Sequence, residues 1–506
     1  MPVALDGEKK TVEEIARVAR SGEEVRVPES AKEQIERSRR IVEDMVSRGE
    51  RVYGVTTGFG KFADVSISPE DIRKLQENLL VSHAVGVGDS FSPEEVRAAV
   101  FLRANALAKG MSGVRYRVVE ALAALLNKGV TPVVPQKGSV GASGDLAPLS
   151  HIALVLIGKG QAWYGGEIVP GGEALRRAGI EPLELEAKEG LALTNGVQVT
   201  AGVLALAVYT GYTLSRSADV IACLTGQALS VIPTAYDPFI VDLRPHAGAR
   251  EVAANMRDLL WGSRLVTQPG QVRMQDPYVL RCIPQVHGAV RQSLDHVRSV
   301  VEIESGSATD NPLVLPDGRI VSGGNFHGQP LGVVADYLAL SLCALSNISE
   351  RRIARLMDPV SSGLPAFLTA HGGLNSGLMM MQYTAASLCS ECKALAHPSS
   401  VDTIPTSAGQ EDHVSMSTTA ARKARDIAWN VATVLAIEYV CACQALEFED
   451  RGSLSPAGAA AYRLLRSRVP AVTFDREMAQ DIAAAREFIL SGDLVATVEA
   501  EIGTVR

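Results

Sequence analysis

Residues 414–448 read VSMSTTAARKARDIAWNVATVLAIEYVCACQALEF, a run rich in Ala and Val that offers little to stop a helix. Comparable runs lie at 197–231, 281–305, 330–356 and 374–396, each rich in Ala, Leu, Val and Ser with few breakers. Helices this long and apolar suit a bundle core or a subunit interface rather than a single exposed face. Shorter helices are expected at 30–48, 69–81, 93–108, 116–127 and 146–157, several with a Ser or Pro start signal such as Ser92-Pro93-Glu94-Glu95. Strand signals are few. Asp317-Gly318 between Leu313-Val314-Leu315 and Ile320-Val321 reads as a hairpin, as does Gly165-Gly166 between Trp163-Tyr164 and Glu167-Ile168-Val169. The expected fold class is all-α with a few short β hairpins. No internal repeat or low-complexity tract stands out, and no linker divides the chain cleanly.

Composition narrows the function. The chain has 506 residues, 46% hydrophobic and 5% aromatic, with a formal net charge of -8. That is enough for a large core, and the length suggests two or three domains. The mild acidity argues against nucleic acid or an anionic membrane as partner. The start, Met1-Pro2-Val3-Ala4-Leu5-Asp6-Gly7-Glu8-Lys9-Lys10, turns charged at once, unlike a signal peptide. Apolar stretches such as 152–157 and 200–208 are too short to span a bilayer. The expectation is a soluble cytoplasmic protein with no membrane partner. Seven cysteines in so long a chain make no disulfide framework. Cys389 and Cys392 form a CxxC, and Cys441 and Cys443 follow, but their helical, apolar surroundings suit buried free thiols better than a metal or redox site. No metal site is expected.

Gly and Pro cluster at 54–60, 86–88, 138–144, 323–330 and 399–410, each cluster carrying polar residues beside a long helix. Active-site residues often sit on such loops. The most informative is Gly138-Ser139-Val140-Gly141-Ala142-Ser143-Gly144-Asp145-Leu146-Ala147-Pro148-Leu149-Ser150-His151. It is not a nucleophile elbow of Gly-x-Ser-x-Gly type, because Asp145 holds the last position and Pro135 cuts the only β-branched approach, Val133-Val134. Ser143 or Asp145 could simply cap the apolar helix from Leu146. A third reading is chemical. Gly144 lacks a Cβ, so its nitrogen can approach the Ala142 carbonyl carbon. Ring closure and loss of water from Ser143 would leave a five-membered ring with an exocyclic methylidene, an electrophile that no ordinary side chain supplies.

This stretch resembles the hallmark of the aromatic amino acid ammonia-lyases, which build a methylidene-imidazolone (MIO) from such a triplet. The resemblance implies that Ala142, Ser143 and Gly144 become the MIO, with no external cofactor. Further segments match in order. Val52-Tyr53-Gly54-Val55-Thr56-Thr57-Gly58-Phe59-Gly60 is similar to the family's tyrosine-bearing loop, which makes Tyr53 the catalytic base. Gln275-Asp276-Pro277-Tyr278-Val279-Leu280-Arg281 spaces an amide, a phenol and a guanidinium by three. At helical pitch Tyr278 and Arg281 share a face, and Arg281 can clamp a carboxylate with two parallel bonds. The resemblance assigns Arg281 to the substrate carboxylate and places Gln275 and Tyr278 beside it. Asn195 stands before a long helix, where an N-cap needs no function, but the family's site has an amide there. Phe326, in Asn325-Phe326-His327-Gly328-Gln329-Pro330, corresponds to a pocket-lining Phe. The chain departs from the commonest pattern at Thr194 and Val197, where Leu and Thr are usual.

Two positions bear on substrate choice: His83, after Ser82, and Glu411, in Gly409-Gln410-Glu411-Asp412-His413. A carboxylate buried against a phenyl ring lacks a partner, whereas an imidazole N–H supplies one. In the family, Ser-His with a later Gln-Glu-Asp-His looks like the branch acting on histidine, while phenylalanine and tyrosine lyases tend to carry Gln in place of Glu411. The expected reaction is L-histidine to trans-urocanate and ammonia, with His83 and the catalytic-site Glu411 at the imidazole. Alternatives are an MIO-dependent tyrosine or phenylalanine lyase, a tyrosine aminomutase, a fumarase-type lyase and an inactive binding homologue. No Gly-Ser-Ser-x-Met-Pro loop supports the fumarase type. The resemblance also implies a fumarase/aspartase-like architecture. Residues 1–195 would form an N-terminal domain with the MIO loop, and 196–506 a long-helix bundle that assembles a homotetramer.

Overall fold

The computed structural model describes residues 2–58, 60–62, 64–68 and 70–506. Phe59 of the tyrosine loop and Pro69, the expected start of a helix, lie outside the described residues. The chain is mainly helical, with short two- and three-stranded sheets. Helices Pro93–Ala108 and Tyr116–Asn127 fall where sequence placed them, and Glu29–Ser47, Ile72–His83 and Leu146–Leu156 within a few residues. Both expected hairpins form, Gln161–Tyr164 with Glu167–Pro170 and Leu313–Val314 with Ile320–Val321.

The chain forms two compact units, each made of three stretches. The first comprises Met1–Tyr209, Val297–Asp336 and Pro398–Arg422; the second comprises Thr210–His296, Tyr337–His397 and Lys423–Arg506. The cut suggested by sequence, after residue 195, lies inside the first unit. Four of the divisions fall within the long helices Gln198–Ala228, Ile283–Ser305, Gln329–Met357 and Ser417–Ala445, because each contributes different turns to different units.

Helix Pro93–Ala108 organises the first unit. Ser92 and Glu95 form a reciprocal capping box at its start, with Pro93 in the first turn. Almost every later residue is buried, so the helix has no solvent face and carries Arg103 into the interior. The second unit holds a charged cluster at its centre. Arg352 donates to both oxygens of Glu438 at 2.6 and 2.8 Å, and Thr225 and Ser349 hydroxyls donate to the same carboxylate at 2.7 and 2.6 Å. Both charges are fully buried, so the bonds that satisfy them hold this packing in register.

The apolar runs extend further than the stretches at 152–157 and 200–208. Helices Gln329–Met357 and Ser417–Phe448 are long and apolar enough to cross a membrane by length and composition. Most of each apolar window is buried within the fold, as in the core helix of a bundle. All seven cysteines are free thiols, five of them buried. Burial pushes Cys223 and Cys443 up to about 12, which leaves them poor nucleophiles.

Candidate active site

The triplet loop enters helix Leu146–Leu156 under clamps from two other segments. Gly141 O accepts from Ser415 Oγ at 2.8 Å and Gly328 N at 3.1 Å, while Val140 O accepts from Met416 N at 2.9 Å. Gly144 has φ +79° and bridges to Gly196, whose carbonyl accepts from Asp145 N at 2.7 Å. A Cβ on Gly144 would lie 2.1 Å from Gly196 O, so only glycine fits.

Asp145 stands at the N-cap position, but its carboxylate makes no cap bond. It accepts instead from Thr200 N at 2.7 Å and from the hydroxyls of Thr200 at 2.9 Å, Thr418 at 2.6 Å and Ser139 at 3.0 Å. Burial raises its pKa, and these four bonds oppose the rise. The capping reading of Asp145 thus gives way to a buried hub joining three segments around the triplet. Asn195 likewise is no N-cap. It ends the short helix Glu189–Thr194 in extended conformation.

Beside the triplet lies a cavity of about 1520 Å³ walled wholly by the first unit. Ala142, Ser143, Tyr53, His83, Asn195, Phe326 and Glu411 all line it, so the fold gathers most of the sequence candidates. Ser143 Oγ donates to Glu411 Oε1 at 2.6 Å, and Thr406 Oγ1 donates to Oε2 at 2.6 Å. The Tyr53 phenol oxygen accepts from Gly60 N–H at 3.2 Å. His83 Nδ1 and Ser82 Oγ share a hydrogen bond of 3.0 Å. Burial lowers the His83 pKa, against the Leu79 carbonyl and the negative Glu411, so at neutral pH the ring is uncharged and able to accept as well as donate.

Gln275, Tyr278 and Arg281 belong to the second unit and are not among the lining residues. Tyr278 and Arg281 do share a face, the guanidinium lying 4.6 Å from the ring centroid. Tyr278 is 69% exposed, and Arg281 makes no ion pair among the described residues. Its Nε is buried without a partner.

Several lining residues escaped the sequence reading. His327 and His413 stack with centroids 5.6 Å apart. His327 Nδ1 accepts from Gln329 N at 3.3 Å, which leaves Nε2–H to donate to His413 O at 3.2 Å. The His327 ring therefore straps the Phe326 loop to the Glu411 loop. Asn78 and Asn311 also line the wall. Nothing local distinguishes these side chains. Arg103, flanked by apolar residues in the helix at 93–108, is the local signal that points to a buried charge.

The residues present fit an MIO. The Gly144 cradle has no room for a side chain, and Ser143 is held by a single acceptor. The Asn195 Oδ1 is buried with no protein partner, while its residue lines the cavity. An unpaired buried oxygen calls for a donor brought by a ligand or group in the site.

Comparisons with known proteins show the family. The sequence profile of aromatic amino acid lyases matches residues 10–467. The chain is 53% identical to the histidine ammonia-lyase of Symbiobacterium thermophilum over 498 residues, 98% of each chain. It is 52% identical to that of Caldanaerobacter subterraneus subsp. tengcongensis over 500 residues, 99% of this chain and 98% of the other. Among solved structures, histidine ammonia-lyase from Trypanosoma cruzi superposes with a TM-score of 0.92 at 39% identity, covering 99% and 96%. Tyrosine aminomutase from Streptomyces globisporus gives a TM-score of 0.97 at 38% identity, covering 100% of both chains.

Proposed function

The chain belongs to the aromatic amino acid lyase family, and from that premise we propose that this carbon–nitrogen lyase removes ammonia from L-histidine, giving trans-urocanate. The observation that carries the choice of substrate is Glu411, whose Oε1 lies 2.6 Å from Ser143 Oγ at the wall of the cavity. Against a phenyl ring that carboxylate would stay unpaired; against an imidazole N–H it gains a charge-assisted bond. The relatives at 53% and 52% identity carry the same activity in their names.

Cyclised, Ala142-Ser143-Gly144 supplies the electrophile that makes elimination of an amine feasible. The chain's side chains do the rest. Tyr53 takes the β-proton of the substrate, the C–H electron pair forms the new double bond, and the C–N bond breaks to release ammonia. His83 and Glu411 hold the imidazole, which fixes the β-carbon before Tyr53. Asn195 contributes its unpaired amide oxygen, and Phe326 excludes water. Gln275, Tyr278 and Arg281 bind the carboxylate, supplied to the cavity by another copy of the chain in a homotetramer. Val333, Tyr337 and Leu340 support that assembly, because they form an exposed apolar stripe on helix Gln329–Met357 at helical spacing. The free thiols are in keeping with a cytoplasmic setting.

The test is to mix purified protein with L-histidine, follow urocanate in the near ultraviolet, and weigh the intact chain. Urocanate together with a mass short by two waters is the expected result. The same mass with turnover of tyrosine or phenylalanine alone would overturn the choice of substrate.

A further inference from the structure

Arg103 is buried to 1% exposure, yet it makes no direct ion pair among the described residues. Its guanidinium is directed at backbone. Nη1 donates to Asn195 O at 2.9 Å and to Gln198 Oε1 at 2.8 Å, and Nη2 donates to Ala192 O. These carbonyls end helix Glu189–Thr194, where the intrahelical ladder leaves acceptors open. Gln198 is itself oriented, since its Nε2 donates to Thr309 Oγ1 at 2.7 Å. Burial lowers the Arg103 pKa to about 10, and the charge of Asp310, which forms a buried pair with Lys188 at 2.5 Å, opposes that fall.

The residue that follows the held Asn195 carbonyl, Gly196, is the one against which the triplet packs. A Cβ on Gly196 would lie 2.5 Å from Arg103 Nη1 and 2.4 Å from Gln198 Oε1. A Cβ on Gly144 would lie 2.1 Å from Gly196 O. Gly196 is thus wedged between the guanidinium and Gly144. We propose that Arg103 is a positioning residue for maturation, holding Gly196 against Gly144 so that the triplet can cyclise. In that step Gly144 N bonds to the Ala142 carbonyl carbon, and its proton moves to the carbonyl oxygen. The resulting hydroxyl leaves with the Ser143 N–H proton as one water, forming a C=N bond. The Ser143 hydroxyl leaves with the Cα proton as the second. Attack requires the nitrogen to be held close to the carbon, and slack in the Gly196 wall removes that constraint.

This inference rests on the proposed MIO, and the experiment separates the two. Wild type, Arg103→Lys, Arg103→Ala and Gln198→Met are purified as soluble protein with a cooperative thermal transition, and each intact chain is weighed over time. Wild type is expected to be short by two waters. Arg103→Lys keeps a charge but cannot reach all three acceptors, so it should reach that mass at least about tenfold more slowly. Added guanidinium chloride at low millimolar concentration should speed ring closure in folded Arg103→Ala. A folded Arg103→Lys that matures at the wild-type rate overturns the proposal. Where the Arg103 variants do not fold, Gln198→Met decides: slowed maturation supports the role, and wild-type maturation overturns it. A wild-type chain without the mass deficit would instead overturn the MIO reading.

Discussion

Replacing Glu304 by Gln should stabilise the protein at pH 8 and hardly at all near pH 5. Glu304 lies in the last turn of helix Ile283–Ser305, partly buried, and makes no side-chain hydrogen bond among the described residues. Burial first, and then the negative Asp145, push its pKa from 4.5 to about 7. The negative end of the helix dipole acts in the same sense. Each tenfold in proton affinity is about 1.4 kcal/mol, so the ionised form is disfavoured in the fold by about 3 kcal/mol. The sign follows from proton counting. Between pH 4.5 and about 7 the native state keeps a proton that the unfolded chain has lost, so stability falls as pH rises through that window. Above it the full penalty remains. Gln cannot ionise, so Glu304→Gln should gain up to about 3 kcal/mol at pH 8 and less than about 1 kcal/mol at pH 5. Thermal midpoints of both proteins, taken at fixed protein concentration across pH 5 to 8, read the difference directly. An equal gain at both ends, or none at pH 8, would refute the buried-carboxyl argument.

Other outcomes follow from the same geometry. Tyr53→Phe should lower kcat by about 10²–10⁴-fold with the two-water mass deficit intact, since only the base is lost; unchanged turnover would remove Tyr53 from that role. Glu411→Gln should lower kcat/KM for histidine by about 10–100-fold, the value of one charge-assisted bond. An equal loss for a substrate without an imidazole would show that Glu411 acts on something other than the ring. In the second unit, Glu438→Gln leaves the Arg352 guanidinium buried without its counter-charge. Denaturation should report a loss of about 3–5 kcal/mol, and a change under 1 kcal/mol would mean that water or another acceptor reaches Arg352.

Much of the architecture could be read locally. Helix Pro93–Ala108 begins at Ser92 because its capping box lies within four residues, and the 161–170 hairpin turns at Gly165-Gly166 because those residues accept positive φ. The roles of Asp145 and Asn195 could not. Asp145 has the sequence context of a cap, yet the fold brings Thr200 and Thr418 to its carboxylate. Three helices near the C-terminus, Pro456–Arg466, Ala479–Leu490 and Asp493–Ile502, also went unmarked, being short and without the long apolar runs that identified the others.

Sequence by itself determined the helical class, the glycine-framed triplet and the chemical types needed for an imidazole substrate, because period, backbone freedom and side-chain chemistry are properties of neighbouring residues. Only the tertiary structure decided which of those residues face one cavity. It set Glu411 at 2.6 Å from Ser143, although 268 positions separate them, and it left Arg281 outside the cavity wall. It also turned Arg103, a fully buried cation on an apolar helix, into the brace behind Gly196. Such contacts join distant segments, and a buried charge can be satisfied only by what the whole fold packs around it.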